Sequence, residues 1–243
     1  MSTDIVLAWP RHCDYPLWRD WLVKNRPHLG SVVIGFTEHH LENDWRQYVS
    51  RELARIGGVR VFDATRADGQ DWRDTAVNEM LDRSCSEWVW FMEPDFIIRD
   101  DKKFRRAVAK GQMLGDVVGY REDGEDRRHP SCLIVRRSAI EKTSRYFGDV
   151  PVDHFHAFCQ ELERTGARFA DLDLRSSKLS DDDGDFTHIG GLSRNEQLVD
   201  SREWEEVRRP DEHALYLTLC MKKRCHPAWS ERSKEFVEWV HRG

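Results

Sequence analysis

Short apolar runs and helical periods alternate along the first 95 residues of the chain. The runs predict four strands, at residues 5–9, 31–36, 59–62 and 88–92. Apolar residues spaced three and four positions apart predict amphipathic helices between them, at residues 14–26, 41–55 and from Asp71 onwards. Strands that alternate with helices are typical of a largely parallel sheet with right-handed crossovers. We therefore expect an α/β fold whose mostly parallel central sheet is flanked by helices.

The rest of the chain has a more mixed pattern. It predicts helices at residues 101–112, 138–146 and 155–166, and strands at residues 117–120, 132–135 and 168–174. Residues 121–130 are charged and show no apolar period, which predicts a mobile loop. Helical patterns recur towards the end of the chain, at residues 203–208, 212–221 and 231–241. We expect one domain over residues 1–195, with a helical C-terminal extension, residues 196–243, packed on it.

The stretch from Trp88 to Asp95 is central to this pattern. Its five apolar residues, Trp88–Met92, predict a strand that is buried on both faces. Pro94 cannot donate to a sheet, so the strand ends near it and presents Glu93 and Asp95. Ligands of open α/β sheets bind at the carboxyl ends of strands, and carboxylates suit Mg²⁺ or Mn²⁺. Taken alone, the same residues are also explained as a polar strand end followed by a turn.

Composition narrows the class of protein. Of 243 residues, 39% are hydrophobic and 11% aromatic, which is enough for a packed core. No apolar stretch approaches the roughly 18 residues that span a bilayer, and the N-terminus lacks the features of a signal peptide. We therefore expect a soluble cytoplasmic protein without a membrane anchor. The six cysteines form no CxxC pair, so we expect reduced thiols, several of them buried.

Four segments of the chain occur in an order that is typical of one protein family. They are a helix with Arg, Ala and Asn, the acidic strand end, a strand followed by two arginines, and a helix preceded by an acid, at Asp71–Asn78, Trp88–Asp95, Cys132–Ala139 and Val152–Gly166. His188 follows beyond the next predicted strand. From Ile5 to Ser193, this order resembles the GT-A (Rossmann-like) fold of glycosyltransferases, specifically the inverting family-two branch.

The resemblance implies roles for the acids and the histidine. Glu93-Pro94-Asp95 stands where the family has its Asp-x-Asp motif, so Asp95 is expected to bind Mn²⁺ or Mg²⁺ together with His188. Glu93 replaces an aspartate, and we expect it to contact the ribose or to act through water. Asp153, which stands alone where the family has a Glu-Asp pair, is the expected general base. From the residues alone, Asp153 is also explained as a helix N-cap and His188 as a loop histidine.

A second set of residues is expected to hold a nucleotide-diphosphate sugar, such as a UDP-sugar. Arg73 lies on the helix that faces the diphosphate in the family, one turn before Val77, which stands where an arginine is common. A glycine pair lets the main chain approach phosphates closely, although it is also found in plain turns. The candidates for this donor site are Pro10, Arg11, Asp63, Arg73, Asn78, Glu93, Gly190 and Gly191.

The expected function is a metal-dependent inverting glycosyltransferase that moves a sugar from a nucleotide-diphosphate sugar to a hydroxyl acceptor. The cation would stabilise the charge on the leaving diphosphate, and a carboxylate would take the proton of the acceptor hydroxyl. Two other functions are weighed against it. A nucleotidyltransferase usually has a glycine-rich basic loop after its first strand, which this chain lacks. A non-catalytic module that binds nucleotide sugars would retain the fold alone.

The sequence leaves the acceptor and the oligomeric state open. The acceptor classes are a small molecule, a protein side chain and a hydroxymethylated pyrimidine in phage-type DNA. Two features favour DNA: the pairs Arg127-Arg128 and Arg136-Arg137, expected near the acceptor, and many tryptophans that look exposed and would stack on bases. The net charge of -6 counts against DNA.

Overall fold

The computed structural model describes residues 3–9, 15–36, 50–63, 72–93, 96–121, 128–143, 154–175 and 184–188. Its strands are β1 (Thr3–Trp9), β2 (Val32–Phe36), β3 (Val59–Asp63), β4 (Trp88–Met92), β5 (Phe96–Ile98), β6 (Val117–Arg121), β7 (Arg128–Arg136), β8 (Phe169–Asp171) and β9 (Phe186–His188). Its helices are α1 (Tyr15–Asn25), α2 (residues 50–54), α3 (Trp72–Arg83), α4 (Asp101–Leu114), α5 (Arg137–Ile140) and α6 (His154–Arg164), with a 3-10 turn at Arg26–His28.

Seven of these strands form one mixed sheet in the order β3-β2-β1-β4-β7-β6-β8. Strand β7 runs antiparallel to both of its neighbours, and the other pairs are parallel. Six strands therefore end at the same edge of the sheet, which we call the carboxyl edge, and β7 begins there. The opposite edge is the amino edge. The predicted α/β fold with a mostly parallel central sheet is confirmed.

Strand β4 lies in the middle of the sheet, and all five of its side chains are buried. Its even-numbered residues pack on the face covered by α1 and α4, where the Trp90 ring lies 5.5 Å from Trp21 and 5.1 Å from Phe104. Its odd-numbered residues pack on the face covered by α3 and α6, where the Phe91 and Phe158 rings lie 5.6 Å apart. The predicted burial of this strand on both faces is confirmed, because each face carries its own layer of helices.

Three predicted elements have different bounds in the structure. Strand β7 begins at Arg128, so part of the predicted loop at 121–130 is strand, since Arg128 pairs with Arg121 across a register shift. Helix α5 ends at Ile140, well before the predicted residue 146. Strand β8 stops at Asp171, although its apolar alternation continues to Leu174. The predicted extension from residue 196 lies outside the described residues.

A two-stranded antiparallel ribbon, β5 with β9, was not predicted from the sequence. Phe96 of β5 pairs with His188 of β9, and Ile98 pairs with Phe186. The Phe96 ring stacks on Phe186 at 4.9 Å and on Tyr120 of β6 at 5.8 Å. These aromatic contacts fix the ribbon on the α1 and α4 face of the sheet.

Two simpler predictions are also addressed by the structure. Cys132 and Cys159 are buried, Cys85 is exposed, and all three are free thiols, as expected. Burial raises the pKa of the Cys132 thiol far above its usual range. Within the described ranges, no helix is long and apolar enough to cross a membrane.

Candidate functional site at the carboxyl edge of the sheet

The carboxyl edge contains the strand ends that the sequence marked as functional. Trp9, Phe36 and Asp63 lie side by side at the ends of β1, β2 and β3. Neighbouring strands are about 4.8 Å apart, so the main chain of Asp63 lies about 10 Å from that of Trp9. The strand order reverses between β1 and β4, and such a reversal point is where open α/β sheets bind ligands.

The chain turns back at the end of β4. The carbonyl oxygen of Glu93 accepts a hydrogen bond from the Phe96 N–H at 3.2 Å, so β5 begins directly beside the end of β4. His188 is the last residue of β9, and its main chain is paired with Phe96. Paired residues of antiparallel strands have Cα atoms about 5 Å apart. The ribbon therefore brings the main chain of His188 beside the residue that follows Asp95 in the sequence.

Helix α3 runs from the carboxyl edge towards the amino edge on one face of the sheet. Met80 and Leu81 are buried against that face, as the apolar period predicted, and Val77 is buried there with them. Arg73 lies one turn before Val77, nearer the carboxyl edge; the structure describes its main chain. Asn78 is half-buried, and its Oδ1 atom is buried with no hydrogen-bond partner among the residues that the structure describes. A buried amide oxygen of this kind is ready to accept a donor from a ligand.

Helix α6 begins on the same face. Its first residue is His154, and Phe158, four residues later, packs on Phe91 near the end of β4. Four residues of helix span about 6 Å, so the start of α6 lies beyond Phe91 in the direction of the carboxyl edge. The helices that follow or carry the candidates Asp153 and Arg73 therefore both begin near the end of β4.

The predicted site residues differ in how far the structure describes them. For Asp63, Arg73 and His188 it describes the main chain, and for Asn78 and Glu93 also the exposure of the side chain, which is half-buried in both. The described side chains contain no group of three His, Cys, Asp or Glu residues able to hold a metal ion. The remaining candidates lie outside the described residues: Pro10, Arg11, Asp95, Asp153, Gly190 and Gly191.

The expected position of one arginine pair is wrong. Because β7 is antiparallel, Arg136 pairs with Trp88 at the start of β4, which is the amino edge, far from the proposed acceptor. There, the Arg136 guanidinium donates to Asp116 at 2.9 Å and lies 4.8 Å from the centre of the Trp88 ring. Arg137 donates to the Ser86 carbonyl oxygen and to the Ser84 hydroxyl. Both side chains hold elements of the fold together.

The other features that favoured DNA are also weakened. Arg128 lies at the carboxyl edge, but it is buried and paired with Asp171 at 2.6 Å. Burial is the main reason that its pKa is lowered, against the attraction of Asp171. Among the tryptophans whose side chains the structure describes, Trp21, Trp88 and Trp90 are buried in the core. None of these groups presents a basic or aromatic surface for bases.

Sequence reasoning missed an acid on the ribbon. Asp185 precedes β9 and is 7% exposed; its carboxylate accepts from Lys103 Nζ at 2.7 Å and from the Arg175 N–H at 2.8 Å. Burial opposes the charged form, but these partners outweigh it and hold the pKa of Asp185 below its usual range. A cavity of about 450 Å³ lies here, lined in part by Lys103, Tyr120 and Asp185, and it includes none of the predicted site residues. Asp185 lies in an acidic run, and nothing in the sequence distinguishes it from the other aspartates of that run.

No protein-family model and no curated protein sequence matches the chain. Solved structures do match. S. aureus TarS 1-349 aligns with a TM-score of 0.57 and 13% identity, covering 98% of this chain and 83% of that chain. The same protein in complex with UDP-GlcNAc aligns with a TM-score of 0.55 and 12% identity, covering 98% and 84%.

A second protein gives an equal match. The mannosyltransferase PcManGT from Pyrobaculum calidifontis, in complex with GDP-Man and Mn²⁺, aligns with a TM-score of 0.57 and 12% identity. The alignment covers 99% of this chain and 75% of that chain. At this level of identity the likeness concerns the fold, and the chain therefore has the GT-A-like fold of these proteins.

Proposed function

We propose that the protein is a metal-dependent inverting glycosyltransferase that uses a nucleotide-diphosphate sugar. The observation that carries the proposal is the register of the ribbon, in which the main chain of His188 is paired with Phe96, the residue after Asp95. This pairing occurs at the carboxyl edge, next to the reversal of strand order between β1 and β4. The fold supports the proposal, since its solved relatives include a complex with UDP-GlcNAc and one with GDP-Man and Mn²⁺.

The residues present fit a divalent cation. A carboxylate oxygen from Asp95 and an imidazole nitrogen from His188 are ligands compatible with Mn²⁺. The register supports this pair, because the main chain of His188 is paired with Phe96, the residue after Asp95 in the sequence. When bound, the cation would act as a Lewis acid that stabilises negative charge on the diphosphate. Glu93, whose carbonyl oxygen is held by Phe96, is proposed to contact the ribose or to act through water.

The donor would lie along the carboxyl edge, over the ends of β1 to β4. Arg73, near the start of α3, is proposed to contact the phosphates, and Asn78 to supply its unpartnered amide oxygen to a ligand donor. Asp63 ends the row at β3, about 10 Å from β1, which suits a contact with the base or ribose. Two short segments complete the proposed donor site, Pro10-Arg11 and Gly190-Gly191.

Asp153 is proposed as the general base. Its carboxylate would take the proton of the acceptor hydroxyl while the acceptor oxygen forms a bond to the anomeric carbon. The bond between that carbon and the phosphate oxygen breaks, and the nucleoside diphosphate leaves with the electron pair. Attack from the face opposite the diphosphate inverts the anomeric centre. The position of α6 supports this role, because Asp153 immediately precedes the helix in the sequence and Phe158 of the helix packs on Phe91 near the end of β4.

A screen of nucleotide sugars with Mn²⁺ tests the function. We expect hydrolysis of one donor to the free sugar and nucleoside diphosphate, its loss with a chelator, and product of inverted configuration by NMR. Release of pyrophosphate from a nucleoside triphosphate would instead indicate a nucleotidyltransferase. A thermal shift with a donor but no turnover of any donor would indicate a binding module.

The acceptor is proposed to be a hydroxyl compound, and hydroxymethylated pyrimidine DNA is one candidate. Arg128 and Arg136 are ion-paired and Arg137 is hydrogen-bonded within the fold, so these residues give that candidate no support. A gel-shift and sugar-transfer assay on hydroxymethylated DNA tests it directly. Salt-sensitive binding together with labelled DNA would establish DNA as the acceptor, and absence of both would remove it.

A further inference from the structure

The ribbon of β5 and β9 needs support from outside itself. Each strand has three residues, and an isolated two-stranded hairpin is at best marginally stable in water. Aromatic packing supplies part of that support, through the Phe96, Tyr120 and Phe186 rings. These rings hold the ribbon against the sheet. The polar contacts at its far end act together with them.

Asp185 joins three segments at that far end. Its two carboxylate oxygens lie 2.8 and 2.7 Å from Lys103 Nζ, and one of them accepts from the Arg175 N–H. Its main chain donates to the Arg175 carbonyl oxygen at 2.8 Å and accepts from the Arg99 N–H at 2.9 Å. One nearly buried residue therefore connects the start of β9 with the segment after β8 and with the start of α4.

Helix α4 is a rigid anchor for this connection. Asp100 caps the helix by accepting from the Lys103 N–H at 2.9 Å, so the main chain of Lys103 is itself held in place. Further along, Gly111 packs so closely on β6 that an added Cβ would lie 2.4 Å from Val118 Cγ1. The helix therefore lies directly against the sheet. Lys103, which is part of this helix, holds Asp185 at a fixed place relative to the sheet.

We propose that Asp185 is a positioning residue for the metal site, an inference that rests on the proposed function. His188 lies three residues after Asp185, on a strand with no other partner than β5 among the described residues. Releasing Asp185 from Lys103 and Arg175 leaves the start of β9 without its polar anchor. The His188 main chain can then shift relative to Phe96, which would weaken binding of Mn²⁺ at the proposed site.

The test compares acid-to-amide substitutions at two positions. Asp185→Asn removes the charge that holds Lys103, whereas Asp173→Asn removes an exposed acid nearby, whose side chain is 83% exposed and paired with Lys110. Binding of Mn²⁺ is followed by the electron paramagnetic resonance signal of the free ion. We expect the Kd for Mn²⁺ to rise about 10- to 100-fold in Asp185→Asn, as for other residues that orient metal ligands, and to stay unchanged in Asp173→Asn.

Lys103 provides a second variant that keeps the buried acid. Its side chain is 53% exposed, so Lys103→Gln is expected to fold, to weaken Mn²⁺ binding and to raise deuterium uptake at residues 186–188. Lys103→Arg keeps the cation and is expected to retain tight binding. Donor hydrolysis by Asp185→Asn should recover as the Mn²⁺ concentration is raised, which general damage to the fold would not allow.

Two outcomes separate this inference from the proposed function. If the wild-type protein binds Mn²⁺ and Asp185→Asn or Lys103→Gln binds it equally tightly, the positioning role is wrong and the metal-dependent function stands. If the wild-type protein binds no Mn²⁺ and hydrolyses its donor with a chelator present, the metal-dependent function fails, and the positioning role is overturned with it.

Discussion

Asp4 at the amino edge and the candidate site acids of the carboxyl edge have different expected roles. At the amino edge, Asp4 is fully buried, and its carboxylate accepts from the Ser31, Cys85 and Ser86 N–H groups and from the Ser86 hydroxyl, at 2.6 to 2.8 Å. At the carboxyl edge, Asp63 ends β3, and Asp95 follows the end of β4 by three residues in the sequence; open sheets bind ligands at such strand ends. The acid at the amino edge is satisfied by the protein itself.

The comparison shows which polar residues belong to the fold. Burial raises the pKa of Asp4, but the hydrogen bonds from the Ser86 hydroxyl and the three N–H groups lower it by more. The net effect is a lowered pKa, so the carboxylate stays charged. Asp116, also at the amino edge, has its pKa lowered in the same way by the Arg168 N–H and the Arg136 guanidinium. An acid whose hydrogen bonds are complete contributes to stability. The acids of a ligand site are expected to contribute to activity instead.

Asp95→Ala gives the largest expected effect. Loss of a proposed metal ligand should lower donor hydrolysis by about 1000-fold, as removal of a strong electrostatic contact to the leaving group does, with little change in Tm. The measurements are steady-state hydrolysis with Mn²⁺ and thermal unfolding by circular dichroism. Full activity in this variant would show that Asp95 is not a metal ligand and would contradict the proposed metal site at the carboxyl edge.

Asp4→Asn should have the opposite profile. Its amide would leave N–H donors unsatisfied at a fully buried position, at a cost of about 3 kcal/mol in unfolding free energy. For a chain of this size that corresponds to a Tm lower by about 10 °C. The activity of the folded fraction should be unchanged. Equal loss of activity and stability would contradict the separation of the two edges.

Acid should destabilise the fold through carboxylates whose pKa is lowered in the folded state. A carboxyl whose pKa is lowered in the folded state adds stability that is complete above its unfolded pKa of about 3.9 and is lost as the pH falls through the lower folded value. Both Asp4 and Asp116 are of this kind. The Tm of the wild-type protein should therefore fall below about pH 4, and more steeply than that of Asp4→Asn. Parallel Tm curves between pH 7 and 2 would argue against it.

Arg136→Gln should give the smallest effect. The substitution removes an ion pair with Asp116 at 2.9 Å and the contact with the Trp88 ring, in a side chain that is only partly buried. We expect a loss of about 1 kcal/mol and a Tm lower by about 3 °C. Affinity for hydroxymethylated DNA, measured by gel shift, should not change. Weaker binding to DNA would place this arginine back in an acceptor site.

The strands and helices of the sheet layers were predicted well because each has a pattern of apolar residues that is visible within one short stretch of sequence. The five apolar residues of β4 and the helical spacing that includes Met80 and Leu81 on α3 each indicate burial without reference to a partner. The direction of β7 has no such signal. Predicted as one more strand, it was expected to present Arg136 near the acceptor, and its antiparallel direction moves that residue to the other edge.

The ribbon and the Asp4 cluster could not be predicted for a related reason. Three residues are too few to show the alternating pattern of a strand. Phe186–His188 is recognised as a strand only once its pairing with the strand that begins at Phe96 is known. Asp4 precedes an apolar run, which is an ordinary place for a surface acid. Its partners, Ser31 and Ser86, come from distant parts of the chain.

The ribbon also sets an order for folding. Phe96 and His188 are about 90 residues apart in the sequence, and the sheet strands β6, β7 and β8 lie between them. Closing a loop of that length costs chain entropy, and the pairing of two three-residue strands is too weak to offset this cost alone. We therefore expect the two strands to pair only after the sheet and α4 have formed. Refolding experiments should therefore show β-sheet signal before Mn²⁺ binding. A chain released just before residue 184 is made would contain all seven strands of the sheet but would lack β9, and so would hold only half of its proposed metal site.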